Sequence, residues 1–216
     1  LGLSLDYTRE RFTLDEGLNK AVNHVFITLY NKGLIYRGER IINWDCEAKT
    51  ALSNIEVEHK EVDGAFYYFK YPFTDGTGHV MVATTRPETM FADQAVMVHP
   101  EDERYQHLIG KEVYIPGTST KIPVIADEYV DIEFGTGCVK LTPCHDPNDY
   151  QSGIKNNLEF VEVFTDDLMM HPLIPEVEGK TAMEARTIIV DLLEKQGYLL
   201  KIEDYTHNVA KCERCK

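Results

Sequence analysis

Hydrophobic and polar positions follow two periods along this chain, and the change between them falls near residue 55. Leu14, Leu18, Val22, Val25, Phe26 and Leu29 recur at three- and four-residue steps, the spacing of one helix face. Thr13-Leu14-Asp15-Glu16 opens that stretch as a capping box, and Gly33 closes it as a C-cap. The pattern predicts a helix whose apolar stripe is core, or the seat of a further domain. Leu34 to Trp44 then alternates as a strand would.

From Ile55 onward the chain reads as β structure. Val57–Val62, Ala65–Tyr71 and His79–Thr84 alternate as three strands of a meander, with turns expected at Asp63-Gly64 and Thr74-Asp75-Gly76. Short strands are expected around Val96, Val113, Val124 and Tyr129, with a helical turn between Pro100 and Leu108. Cys138 to Thr142 is another short apolar run, Pro147 suits the start of a helix, and Phe160–Phe164 reads as a strand. Thr181 to Gln196 carries Ala185, Ile188, Ile189, Leu192 and Leu193 on one helical face and ends at Gly197, with a strand from Tyr198 to Tyr205. There is no internal repeat or low-complexity segment. The fold class expected is α+β: a mixed, largely antiparallel β-barrel core with surrounding helices.

The 216 residues suffice for one large domain with appendages, and 43% apolar with 27% charged residues is ordinary for a soluble globular chain. No apolar run approaches the ~18 residues of a membrane span, so no membrane partner is expected. The sequence starts at Leu1 and its first eleven residues read as mid-protein, so a fragment is expected. Net charge is −14, from 22 basic and 36 acidic residues. That balance excludes a general nucleic-acid binder, whose affinity comes from neutralising phosphates. Any such contact must be local and aided by other parts of a larger protein. Five cysteines without a framework spacing point to reduced thiols and a cytoplasmic setting.

Chemistry concentrates in Phe134–Tyr150, FGTGCVKLTPCHDPNDY. Gly135 and Gly137 make a turn through which backbone can approach a bound group. Lys140, Thr142, His145, Asp146 and Asp149 then converge on one strand-to-helix corner, where polar ligands are often bound. The plain alternative is that Asp146 and Asp149 only cap and polarise a helix start. A second such stretch is Ala83-Thr84-Thr85-Arg86-Pro87-Glu88-Thr89-Met90. Its hydroxyls and free N–H groups suit an anionic or carbonyl oxygen, and Arg86 can hold a phosphate or brace an acid such as Glu88. Taken singly, each of these residues also fits a solvated helix start. Cys212-Glu213-Arg214-Cys215 is half of a structural zinc site. The region of Cys46 offers one thiol and no second pair, so Cys212 and Cys215 are weak metal candidates and two free thiols are expected. Cys144 and His145 are adjacent and point to opposite faces of an extended segment, so no cysteine nucleophile is expected.

Four stretches together closely resemble the editing insertion of the valyl-tRNA synthetases: RERFTLDEGLNKAV, ALSNIEVEHKEV, ATTRPETMFADQAVMVHPEDERY and IADEYVDIEFGTGCVKLTPCHDPNDY. Isoleucyl and leucyl synthetases share a TTRPET-like motif and the final Asp; HDPND and the VKLTP lead-in favour the valyl family. The resemblance covers nearly the whole chain. It implies residues 1–45 leading from a catalytic domain, an editing domain over 46–205, and a connector back over 206–216. The HIGH and KMSKS signatures of amino-acid activation are absent, so no aminoacylation is expected of this stretch.

The activity implied is hydrolysis of threonine wrongly esterified to the 3′ end of tRNA(Val), with no cofactor. This family is itself the known instance of a valine pocket that rejects threonine only about a hundredfold. A second pocket that hydrogen-bonds the threonine hydroxyl inverts the selection, because valine would leave a buried partner unpaired at roughly 1–3 kcal/mol. Carried onto these positions, the resemblance implies that Asp149 holds the substrate α-ammonium, with Asp146 as its partner or cap. Lys140 and Thr142 line the pocket. Thr85 and Thr89 shape the opposite wall, and Arg86 braces the loop or meets the terminal adenosine. Backbone N–H groups near Thr84 and Thr85 would hold the oxyanion, while His145 is a weak candidate for general base. Amino and hydroxyl recognition are not divided between Asp146 and Asp149. Cys144 stands where alanine is usual and Phe91-Ala92 where Leu-Gly is common; Asp45 and Ala48 replace cysteines that complete a zinc site in some relatives. The alternatives are a non-catalytic module docking the tRNA acceptor end or another domain, and an editing domain of an isoleucyl or leucyl synthetase.

Overall fold

The computed structural model describes residues 2, 4–172 and 174–213. It separates into two compact units, Leu1–Arg40 and Ile41–Lys216.

The first unit carries helix α1, Glu16–Asn31. Its N-cap is Asp15, whose carboxylate accepts from the Leu18 amide at 2.8 Å and is clamped by Arg11 Nε at 2.6 Å. The cap falls two residues beyond the expected Thr13, because the Asp15 carboxylate accepts from the third helical amide. The apolar stripe is present but α1 buries no residue: Val22 and Phe26 are 64% and 55% exposed. Residues 34–42, expected as a strand, have no regular structure; no partner strand accepts their backbone groups.

Among the described residues the second unit holds nine strands and two longer helices. β1 (Asn43–Asp45) and β2 (Thr50–Leu52) form a small hairpin. β3 (Val57–Pro72) is the longest strand and lies between β4 (His79–Thr84) and β9 (Leu199–Cys212), antiparallel to both. The expected turn at Asp63-Gly64 does not form, because β9 pairs with β3 from Val57 through Phe69 and carries it straight past. Gly64 serves closeness instead: a Cβ there would lie 2.5 Å from His207 Cε1. The turn at Thr74-Asp75-Gly76 does form, with Asp75 accepting from the Thr77 amide at 2.8 Å.

The other sheet orders β6 (Glu112–Tyr114), β7 (Lys121–Ala126), β5 (Ala95–Val98) and β8 (Cys138–Leu141). Only β5 and β7 run parallel. A bridge from Phe73 to Val113 links the two larger sheets, and Phe69, Val82, Val98, Val113, Val124 and Cys138 share one buried core between them. The α+β class and the mainly antiparallel pairing are therefore as expected. Tyr129, expected in a strand, sits in a turn tied by its amide to Asp127 Oδ1 at 3.1 Å. Phe160–Phe164 contributes only an isolated bridge from Phe164 to Met170.

Helix α2 (Pro147–Lys155) begins at Asp146 with Pro147 in its first turn. Helix α3 (Ala182–Lys195) begins at Thr181, with Glu184 completing a capping box, and buries Ala185, Ile189, Val190 and Leu193. No helix among the described residues is long and apolar enough to cross a membrane.

Candidate functional site

β4 and β8 end side by side, and the turns that follow them face α2 across a cleft of about 330 Å³. All of the sequence candidates Thr84, Thr85, Arg86, Thr89, Lys140, Thr142, His145, Asp146 and Asp149 line it. Two stretches separated by about fifty residues are thus one site. Pro87 opens the short turn Pro87–Ala92, which returns the chain from β4 toward β5 and leaves Thr89 and Asp93 on the cleft's inner side.

At the base lies a buried polar cluster centred on Asp93, which is 0% exposed. Lys140 Nζ donates to Asp93 Oδ1 at 3.0 Å, to Thr89 Oγ1 at 2.9 Å and to Thr142 Oγ1. Thr142 Oγ1 donates to Asp93 Oδ1 at 2.8 Å, and the Tyr71 hydroxyl to Asp93 Oδ2 at 2.7 Å. Thr89 Oγ1 passes its own proton to the Arg86 carbonyl at 3.0 Å. All three protons of the ammonium have acceptors inside the cluster, so Lys140 is a fixed charge and not a free nucleophile. Burial pushes the Asp93 carboxyl up, opposed by Lys140 and the donors from Tyr71 and Thr142.

Asp149 sits above this cluster in the first turn of α2. Its Oδ2 accepts from the Thr142 amide at 2.8 Å, and Oδ1 has no partner among the described residues. Desolvation raises its carboxyl to about 6, against the pull of the Thr142 amide and Lys140 and with the neighbouring charges of Asp146 and Asp93. Asp146 is the N-cap: its Oδ1 accepts from the amides of Asn148 at 2.8 Å and Asp149 at 3.2 Å. The capping reading of Asp146 therefore describes its contacts.

His145 does not fit a general base. Its Nε2 accepts from the Val163 amide at 3.1 Å, its ring stands edge-on to Phe164, and burial with the charges of Arg86 and Lys140 lowers it to about 3. Its lone pair is engaged and its basicity is gone at neutral pH. Arg86 Nη1 donates to the His145 carbonyl at 2.8 Å and its Nε lies 3.6 Å from Glu88 Oε1, so it braces the rim. Thr84 Oγ1 accepts from the Arg86 amide at 3.0 Å, which ties that hydroxyl to the turn.

The glycine turn also works differently from expectation. Gly137 has φ +74°, and a Cβ there would meet Arg104 Nη2 at 2.6 Å; the close approach is to the Asp102–Arg104 ion pair, not to a ligand. Sequence reasoning missed Asp93, Tyr71 and Arg186. Arg186 Nε and Nη2 grip Glu88 at 2.8 Å each, fixing the Pro87–Ala92 turn onto α3. The legible signal for Asp93 was a lone acid just past a proline-opened turn and before a run of buried strand residues; Tyr71 and Arg186 carried none.

Cys46 and Cys212 line a second cleft beside Trp44. The Asp45 carboxylate accepts from the amides of Glu47 and Ala48, and Cys215 lies outside the described residues. Among the described residues this offers two thiols, short of the four donors of a structural zinc site, and no group of three or more His, Cys, Asp or Glu side chains gathers elsewhere. Cys46, Cys138 and Cys212 are free thiols.

The chain that folds into these two larger sheets, with a polar cleft at their strand ends, matches a family profile described as tRNA synthetases class I (I, L, M and V) over residues 1–206, and it belongs to that family. Within it, the chain is 60% identical to a valine–tRNA ligase of Halalkalibacterium halodurans, 59% to that of Geobacillus stearothermophilus and 56% to that of Staphylococcus carnosus. Each match covers 99% of this chain and 24% of the relative. The chain thus spans about a quarter of the length of the curated relatives it matches. A solved Agrobacterium radiobacter LeuRS–tRNA–LeuAMS ternary complex shares the fold, with a TM-score of 0.52 at 18% identity, over 91% of this chain and 33% of that one.

Proposed function

We propose that this chain is the editing module of a valine–tRNA ligase and hydrolyses the ester of threonine misattached to tRNA(Val). The observation that carries the reading is Asp149: a carboxylate raised to about 6 by burial, with one oxygen anchored to the Thr142 amide. A buried carboxylate short of a counter-charge is a receptor for a cation, and the α-ammonium of an aminoacyl ester supplies one. With the ammonium on Asp149, the threonine side chain lies in a cleft whose wall carries the hydroxyls of Thr84 and Thr85, polar partners that suit a hydroxyl and gain nothing from the valine methyl.

Attack on the ester carbonyl is assigned to water. Lys140 has committed its protons and His145 its lone pair, so neither supplies a nucleophile or base at neutral pH. The side chains instead orient the ester, and the water is placed by the rim hydroxyl of Thr85 or by the substrate itself. The remainder of the synthetase and the tRNA acceptor end are the partners this reading requires, since an acidic chain has little general attraction for RNA.

The test is deacylation of threonyl-tRNA(Val) beside correctly charged valyl-tRNA(Val), by the chain and by Asp149→Ala. Selective release of threonine, reduced at least about a hundredfold in the variant, is the expected result. Equal release of both amino acids, or an Asp149→Ala variant as active as the parent, overturns the reading. Absence of turnover with retained binding of a non-hydrolysable threonyl-adenosine analogue would select the docking module.

A further inference from the structure

We propose that Tyr71 is a positioning residue of this cleft: its hydroxyl orients the Asp93 carboxylate, and thereby keeps Lys140 away from Asp149. The inference rests on the editing reading only for the identity of the ligand.

Tyr71 lies on β3, is 0% exposed, and belongs to the main apolar core with Phe69 and Val82. A phenylalanine ring fills that space equally well, and burying a phenol hydroxyl is unfavourable unless it is bonded. Among the described residues the hydroxyl has one partner, Asp93 Oδ2 at 2.7 Å, and it is the sole donor to that oxygen. The other oxygen, Oδ1, takes Lys140 Nζ and Thr142 Oγ1. Contacts on both oxygens fix the rotation of the carboxylate, so the direction in which Lys140 is pulled is set from the far side by Tyr71.

That direction matters because a second anion competes for the same ammonium. Thr142 carries both carboxylates, Asp93 on its hydroxyl and Asp149 on its amide. Lys140 already acts on Asp149 through space. Released from a rotated Asp93, Lys140 is drawn to Asp149 and neutralises the charge that a ligand ammonium needs. Asp146, Asp93, Tyr129, His145, Arg86 and Lys140 are the titratable or charged groups that face or act on Asp149; Arg86 is held by the His145 carbonyl and Glu88, and Lys140 is the cation whose charge acts on Asp149. Loss of the Tyr71 hydroxyl should therefore act as an internal competitor, weakening binding more than turnover.

The experiment compares the parent chain with Tyr71→Phe, and with Ile189→Val as a core change on α3 that removes no hydrogen bond. Two quantities are read: the Kd of a non-hydrolysable threonyl-adenosine analogue, and the carboxyl ¹³C titration of Asp149. The expected result for Tyr71→Phe is about a tenfold rise in Kd, with kcat on threonyl-tRNA(Val) within about twofold and KM raised. Its Asp149 titration should move below the parent's value, and Ile189→Val should leave both unchanged. An Asp149 titration and affinity identical to the parent would overturn the proposal, as would a Tyr71→Phe chain that fails to fold, since the hydroxyl would then serve the core. If the parent binds no analogue, the editing reading fails while the Asp149 titration still decides the role of Tyr71.

Discussion

Asp149 lines the cleft and Asp93 lies buried beneath it, and both are raised above the ordinary aspartate value by burial, yet their surroundings are opposite. Asp93 has an ammonium and two hydroxyls, from Lys140, Thr142 and Tyr71, and no solvent. Asp149 has one backbone amide and an oxygen left over. The first carboxylate is complete inside the protein and builds the wall; the second is incomplete and waits for a cation. Satisfaction of the charge, more than its depth, separates the structural acid from the binding one.

The largest test of that contrast is Lys140→Met. It strips Asp93 of its only cation while keeping the volume of the side chain, and breaking a buried pair in this way costs about 3–5 kcal/mol. Urea unfolding at neutral pH should show most of that loss. Because Asp93 accepts protons more readily without its partner, the deficit should shrink as the pH falls. A loss under about 1 kcal/mol would mean that Asp93 is already protonated and that the two acids are alike.

Asp149→Asn should move stability the other way. A carboxyl raised from 3.8 to about 6 holds its proton more tightly folded than unfolded. The folded state is thus favoured below the unfolded value, and that advantage is lost as pH rises through about 6. At pH 7.5 the ionised Asp149 therefore burdens the fold by about 3 kcal/mol, which asparagine removes while still accepting from the Thr142 amide. At pH 3.5 parent and variant should melt together. The same proton should govern the ligand: affinity for the threonyl-adenosine analogue should fall up to tenfold per pH unit below about 6. A variant less stable than the parent at pH 7.5 would put Asp149 in the class of Asp93.

Local signals were the legible part of this molecule. Asp146-Pro147 announced α2 because a cap is a contact within four residues, and the apolar face from Ala185 to Leu193 announced α3. The convergence of two motifs on one cleft was likewise readable, since turns, prolines and hydroxyls mark strand-to-helix corners. What stayed hidden was set by distant partners. Asp63-Gly64 has the chemistry of a turn, but β9, about 140 residues further on, holds it straight. α1 and α3 are equally amphipathic to the eye, and only α3 has its face covered. His145 reads as a base until the Val163 amide is seen on its Nε2. Asp93 and Tyr71 lie 22 residues apart in ordinary strand sequence, and nothing local marks them as bonded.

The smallest effect decides the remaining ambiguity, which acid meets the ligand. Asp146 accepts from two amides at the start of α2, a role that needs an oxygen acceptor and little charge. Asp146→Ala should therefore cost about 1 kcal/mol, and Asp146→Asn only a few tenths. If capping is its whole contribution, the asparagine variant deacylates threonyl-tRNA(Val) within about twofold of the parent, and the alanine variant loses stability before it loses rate. A steep loss of rate in Asp146→Asn at unchanged stability would instead show that the cleft binds its cation between two carboxylates, with Asp146 supplying charge from the cap while Asp149 supplies the desolvated oxygen.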